Sequence, residues 1–241
     1  MVDGLRDNPA NTPTYEGVLA QHRAYIAALR EAGVTVDLLP PLEAFPDSVF
    51  VEDPALTFPQ GAILMRPGAP SRVGEREDMR RVLHRHFDTV LELEDHEHAD
   101  GGDILVTPHT VFIGLSKRTT RIGAEALAAH LSTLGRESRI VEAPQGVLHL
   151  KTASSLLSED TVLAMEQMIP GSIFAGFKIL TPPAGEEAAA NSLRINDVIF
   201  VGDCYPGTIK LLEKNGFNVR PLPVDEVAKL DAGFSCMSLR W

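Results

Sequence analysis

The feature that most constrains this chain is a recurrence. A helix-like stretch, a turn and a short apolar strand return five times: residues 16–32 then 34–39, 76–87 then 89–93, 121–134 then 138–142, 161–168 then 176–180, and 208–215 then 217–222. In the first unit Leu19, Tyr25, Ile26 and Leu29 fall on one helical face, Gly33 supplies the stop, and the following run alternates before Pro40. Short apolar runs at 49–51, 62–65, 104–106, 111–113, 154–157, 162–164 and 198–201 read as additional strands, several joined pairwise by Gly, Asp or Pro turns. Each unit is closer to strand–strand–helix–strand than to a plain crossover, and self-similarity of this kind marks a repeat architecture. Five such units do not fit easily into one open sheet. Closed in a ring, they leave a central channel on which loops from every unit converge. The expectation is an α/β fold in one compact domain, residues 1–241, with no long linker and no low-complexity segment.

Charge bears on what such a channel receives. With 33 acidic and 22 basic residues the formal net charge is −11. That argues against a nucleic-acid partner, which calls for a basic face, and suits a small cationic substrate drawn into an acidic cleft. No apolar run reaches the ~18 residues of a membrane span. The N-terminal stretch Met1-Val-Asp-Gly-Leu5 begins no apolar signal core. Two cysteines, Cys204 and Cys236, are too few for a disulfide framework, so a cytoplasmic protein with reduced thiols and no membrane contact is expected.

Cys236 sits between Ser235 and Met237, just after Gly233, without the aliphatic run that a buried structural cysteine usually keeps. A nucleophilic thiolate needs a histidine, a carboxylate to orient it, and groups that hold an electrophile. Of eight histidines, His149 stands out: it is flanked by aliphatic residues in Gly146-Val-Leu-His-Leu-Lys151, on a strand or strand end. It is the best acid/base candidate, against the competing reading of a satisfied core histidine. Asp100 and Asp103 bracket Gly101-Gly102, where close backbone approach holds two carboxylates near each other; the plainer reading is a glycine turn with Asp caps. In Phe45-Pro-Asp-Ser-Val-Phe-Val-Glu-Asp-Pro54, a strand would put Asp47 and Asp53 on one face and Glu52 on the other. Such acids suit a guanidinium, an amidinium or a metal, and otherwise cap turns. Arg72 and Arg118 each follow a strand and precede a helix, and either suits bidentate binding of a carboxylate. Asp95-His-Glu-His98 fits no zinc or di-iron spacing and reads as a solvated loop; Cys204 lacks an obvious histidine partner and reads as a bystander.

Together these stretches resemble the bacterial dimethylarginine dimethylaminohydrolases (dimethylargininases), within the guanidino-group-modifying or amidinotransferase superfamily. The resemblance is carried by Val2-Asp-Gly-Leu5, the 45–54 run, Arg66-Pro-Gly-Ala-Pro-Ser-Arg72, Asp100-Gly-Gly-Asp103, Leu148-His-Leu-Lys-Thr152 and Ser235-Cys-Met-Ser-Leu-Arg240. It spans almost the whole chain in order. It implies a five-bladed α/β propeller with pseudo-fivefold symmetry, built of ββαβ units around a central channel, in agreement with the five units counted above.

The same resemblance implies that Cys236 is the nucleophile, His149 the acid/base, and Asp100 the carboxylate that orients the histidine, at a position where some relatives carry Glu. It implies that Asp53 binds the guanidinium, and that Asp47 and Glu52 hold the substrate's amino-acid end or neighbouring groups. Arg72 and Arg118 become the pair for the α-carboxylate, while Leu5, from a mobile lid, and Leu230 supply backbone contacts. The implied activity is hydrolysis of asymmetric dimethylarginine and monomethylarginine to citrulline through a covalent thiouronium on cysteine. No metal and no organic cofactor is implied, and family membership points to a homodimer.

Three alternatives stay open at this point: an arginine deiminase or another substituted-guanidine hydrolase, an amidinotransferase that passes the amidino group to an amine, and a non-enzymatic ligand-binding protein on the same ring. Deiminases and amidinotransferases are usually longer. Family members carry a strand before the Val-Asp-Gly-Leu motif, with which this sequence almost begins, so either its first unit lacks a central strand or the sequence as given starts late, and the second is the simpler explanation.

Overall fold

The computed structural model describes residues 1–6, 8–143, 146–170 and 172–241. Helix α1 (Tyr15–Glu31) starts at Thr14, whose hydroxyl accepts from the Gly17 N–H, and it buries Val18, Tyr25, Ala28 and Leu29 along one side. Residues 34–39, expected as a strand, pair with no described strand. Alternation makes a strand only where a neighbour takes up its N–H and C=O groups.

The remaining units share one plan. Strands β1 (Ala55–Phe58) and β2 (Gly61–Leu64) form a hairpin, with Ala55 opposite Leu64. Helix α2 (Glu75–His86) then carries the chain back, so that β3 (Val90–Glu92) runs parallel to β2. Parallel neighbours need a crossover of this kind, since a tight turn joins only antiparallel ones. Strands β4 (Ile104–Val106) and β5 (Val111–Leu115), helix α3 (Arg121–Thr133) and strand β6 (Ser138–Glu142) repeat the arrangement. In the third sheet β7 (Ser154–Leu156) and β8 (Thr161–Ala164) pair antiparallel, and β9 (Lys178–Leu180) joins β8 in parallel. Strands β10 (Leu193–Ile195) and β11 (Val198–Gly202), helix α4 (Pro206–Lys214) and strand β12 (Asn218–Leu222) form the fourth, and α5 (Asp225–Ala228) follows. Among the described residues there are thus four three-stranded sheets, each a hairpin plus one parallel strand. This is the α/β unit read from the sequence.

Two further expectations are corrected. Residues 161–168 are not a helix: the first four form β8, and a 3-10 turn occupies Glu166–Met168. Eight residues are too few for periodicity to separate helix from buried strand, and the ladder to β7 decides it. Residues 49–51, expected as a strand, lie in successive turns. Two strands had not been anticipated. β1 is buried at all four positions and so shows no alternation, and β10 is only three residues long.

The chain divides into two compact units: Met1–Pro41 with Thr152–Ser235, and Leu42–Lys151 with Cys236–Trp241. In the first, Leu157, Leu163, Ile199 and Leu212 pack together, and Tyr25 stacks on Phe234 with ring centroids 5.8 Å apart. In the second, Ile63, Met65, Ile104, Ile113, Leu127 and Leu131 form the buried centre. Each large apolar side chain buried in this way contributes roughly 1.5–3 kcal/mol. The C-terminal residues are tied into that second unit: the Thr57 hydroxyl donates to the Arg240 carbonyl at 3.0 Å, and Trp241 packs edge-on against Phe87 at 5.0 Å. Among the described residues no helix is long and apolar enough to cross a membrane.

Candidate active site

The expected strand through 45–54 is a series of tight turns, closed by Phe50 N–H to Asp47 C=O at 2.9 Å and Ala55 N–H to Glu52 C=O at 3.4 Å. Asp47, Glu52 and Asp53 are therefore not sorted onto two strand faces, and all three are buried. The turns leave backbone carbonyls that Arg72 takes up. Its Nη2 donates to Phe50 O at 2.8 Å and Asp47 O at 3.3 Å, while Nε and Nη2 grip Glu75 at 3.0 and 2.8 Å. Its Nη1 pairs with Asp53 Oδ2. Arg72 is 4% exposed, so the residue expected to receive a substrate carboxylate sits in a buried ion pair with the residue expected to bind a guanidinium.

Asp53 is held from the other side by the turn that follows Asp100. Gly102 N–H donates to Asp53 Oδ1 at 2.9 Å, and Gly101 N–H to Asp53 O at 3.0 Å. Burial pushes the Asp53 carboxyl up, but the Arg72 guanidinium, the His149 ring and the Gly102 N–H outweigh it and hold it below the ordinary carboxylate range. Both glycines are sterically required. A Cβ on Gly102 would lie 2.6 Å from His149 Nδ1 and 3.0 Å from Asp53 Oδ1, and one on Gly101 would collide with the Glu52 carbonyl.

Asp100 is 1% exposed. Its Oδ1 accepts from Gly68 N–H at 2.6 Å, its Oδ2 lies 3.1 Å from His149 Nε2, and its own N–H donates to Thr119 Oγ1 at 3.1 Å. Asp103 is a second buried anchor: it accepts from Ser116 Oγ and Thr119 Oγ1, each at 2.6 Å, and from Leu150 N–H at 3.0 Å. Burial raises its carboxyl despite these bonds. His149 lies in a bend just before the 3-10 turn Leu150–Thr152, not on a strand. Burial alone would lower its imidazole. The bond to Asp100 and the charges of Asp53, Asp103 and Asp100 outweigh that effect and push its pKa up to about 9. It is an imidazolium at neutral pH.

Cys236 is half-buried in the short turn Ser235–Met237, and its carbonyl accepts from Glu52 N–H at 3.1 Å. Its backbone is therefore one residue from Asp53. Glu52 Oε1 pairs with Lys151 Nζ at 2.5 Å and with Arg240 Nη2 at 2.8 Å. Lys151, Arg240 and Glu75 were not singled out as members of this network, and Asp103 was read only as the partner of Asp100 across the glycine turn. Only the Arg72-to-Glu75 spacing at a helix start offered a signal in the sequence. Arg118 is half-buried after β5, with its N–H on Ser116 Oγ at 2.9 Å. Leu5, 41% exposed, and Leu230, buried just after α5, belong to the other compact unit.

Donor atoms of Asp53, Asp100 and His149 lie within 4.8 Å of one another, so this trio offers a place for a cation. Glu94, His96 and Glu97 form a second, solvent-facing group with similar spacing. Cys204 is exposed, and partial burial raises its thiol.

Comparison with known proteins gives a consistent result. The arginine deiminase family model matches residues 18–199. An N(G),N(G)-dimethylarginine dimethylaminohydrolase of Pseudomonas aeruginosa is 38% identical over 242 residues, covering 100% of this chain and 95% of the relative. Among solved structures, a Cys-to-Ser variant of the Pseudomonas aeruginosa enzyme in complex with citrulline matches with a TM-score of 0.96, 38% identity and coverage of 100% of this chain and 94% of that chain. A dimethylarginine dimethylaminohydrolase His-to-Gly variant, in an adduct with S-methyl-L-thiocitrulline, matches with the same TM-score, identity and coverage.

Proposed function

The chain belongs to the dimethylarginine dimethylaminohydrolase family, and from that membership we propose that it hydrolyses Nω-methylated arginines to citrulline and methylamine or dimethylamine through a covalent intermediate on Cys236. The observation that carries the reading is the buried trio of Asp53, Asp100 and a protonated His149, beside the backbone of Cys236.

A guanidinium carbon is a poor electrophile because its charge is spread over three nitrogens. Asp53 and Asp100 hold the planar cation and set that carbon against the sulfur, a gain in proximity and orientation. The bound cation also favours thiolate at Cys236. Sulfur adds to the carbon. His149 then gives its proton to the methylated nitrogen, the C–N bond breaks, and the amine leaves an S-alkylthiouronium on the enzyme. Neutral His149 next takes a proton from water as the oxygen adds to the same carbon. The C–S bond breaks, the remaining hydroxyl proton passes through solvent to the released amine, citrulline departs and the thiolate is restored.

Arg118 and Arg72 pair with the α-carboxylate, and Arg72 has to share its bonds to Asp53 and Glu75 to do so. Asp47 holds the amino-acid end. The steps as written call on no metal or organic cofactor. From the character of the sequence we place the protein in the cytoplasm as one catalytic domain, and a homodimer follows from family resemblance alone.

Acid quenching during turnover of asymmetric dimethylarginine, followed by mass analysis, tests the covalent step. The Cys236 peptide is expected to carry the thiouronium adduct, and Cys236→Ser is expected to lose more than about 10³-fold in kcat while still binding substrate. Near-normal turnover by Cys236→Ser would overturn the scheme.

A further inference from the structure

We infer that Glu52 is a positioning residue: its buried carboxylate clamps together the chain segments that carry the nucleophile and the acid/base, through Arg240 on one and Lys151 on the other. The inference rests on the roles proposed above for Cys236 and His149, and it gives Glu52 work other than contact with substrate.

Three segments meet at this one residue. Lys151 stands two positions after His149, and its ammonium lies 2.5 Å from Glu52 Oε1. Arg240 stands four positions after Cys236, and its guanidinium reaches the same oxygen at 2.8 Å. The Glu52 N–H fixes the Cys236 carbonyl at 3.1 Å, so the C-terminal segment is held at two points. Arg240 also donates to Ser238 O at 2.6 Å and Ser238 Oγ at 2.7 Å, which stiffens the short run between them. The Glu52 carbonyl, in turn, is the surface against which Gly101 packs, next to Asp100. Asp53 is the adjacent residue. Every group to which the reaction assigns a proton, a bond or the guanidinium is therefore within a few residues of a contact with Glu52.

The charge arithmetic supports a clamp. The Glu52 side chain is 5% exposed and Lys151 11%, so the pair lies mostly out of water. Buried ion pairs of this kind add little net stability over an apolar substitute, and their best-attested use is to fix one arrangement among several.

The test uses full-length protein with Cys204→Ser, so that Cys236 is the one reactive thiol, and 2-chloroacetamidine, a small cationic electrophile. Arg240→Leu and Lys151→Met are expected to lower the maximal inactivation rate by on the order of ten-fold, because small misplacements of reacting groups are costly, while the half-saturating concentration stays within about three-fold. Arg240→Lys and Lys151→Arg keep the cation and are expected to remain within about three-fold of the parent in both. Wild-type maximal rates in Arg240→Leu and Lys151→Met would overturn the clamp, as would a loss confined to half-saturation, which marks a ligand contact. The Arg240 side chain is 33% exposed, so that pair of variants decides the matter if Lys151→Met does not fold. Alkylation at Cys236 does not depend on methylarginine turnover. A protein that shows this pattern yet releases no citrulline refutes the substrate reading and leaves the clamp standing. One whose Cys236 is not alkylated at all refutes both.

Discussion

An imidazole ringed by carboxylates keeps its proton, and at His149 this fixes the direction of the chemistry. With Asp53, Asp100 and Asp103 all acting on the ring, its pKa is pushed up to about 9, and in the reaction proposed above His149 acts as an acid before it is a base. The acid form is present below that value, so kcat/KM is expected to fall as pH rises through about 9. Asp100→Asn removes the hydrogen-bonded charge; the alkaline limb should move down towards the ordinary 6.5, with a loss in kcat of roughly 10²–10⁴-fold. An unmoved limb in that variant would show that Asp100 does not tune the histidine. Stability follows the same sign. The folded pKa of His149 is raised, so its contribution is complete below 6.5 and is lost as pH climbs through about 9. Asp53 runs the opposite way: its pKa is lowered, and its contribution is lost as pH falls below the ordinary 3.8.

Single residues were readable where their setting was unusual, as with Cys236 outside any aliphatic run or His149 inside one. Lys151 and Arg240 were not, because a cation in a sequence names no partner, and the carboxylate that Arg240 meets lies 188 residues away.

At the scale of elements, the turn Gly101–Asp103 does most to build the site. It sends two N–H groups to Asp53 and leaves room for the His149 ring, which accounts for the adjacent glycines between two acids. Gly102→Ala should therefore displace His149 or Asp53. Activity is expected to drop by roughly 10–100-fold, with the far-UV circular dichroism unchanged. Wild-type kcat in this variant would mean that the ring has slack which the packing does not show. The doublet was visible in the sequence as a close backbone approach, but which groups approach was not.

Helices α1 to α4 and most strands matched their patterns because each has a dedicated partner face. Residues 34–39 alternate as a strand should and still lie outside every described sheet, while 161–164, read both as the start of a helix and, over 162–164, as a strand, pair with β7. In both places hydrogen-bonding partners, which periodicity does not reveal, decide the outcome.

Across the whole molecule, one compact unit holds the nucleophile, the acid/base, the orienting carboxylate and the guanidinium-binding aspartate assigned here, although they are spread from Asp53 to Cys236. The chain leaves that unit after Lys151 and returns at Cys236 to complete it. The net charge of −11 suits a cationic substrate. Which cation it takes is a question of turnover. Citrulline release from asymmetric dimethylarginine, monomethylarginine and arginine, measured side by side on the purified protein and on Cys236→Ser, addresses it directly. Turnover of both methylated substrates but not of arginine, and none by the variant, is the expected result. Citrulline from arginine alone would make the protein a compact deiminase and contradict the proposed substrate.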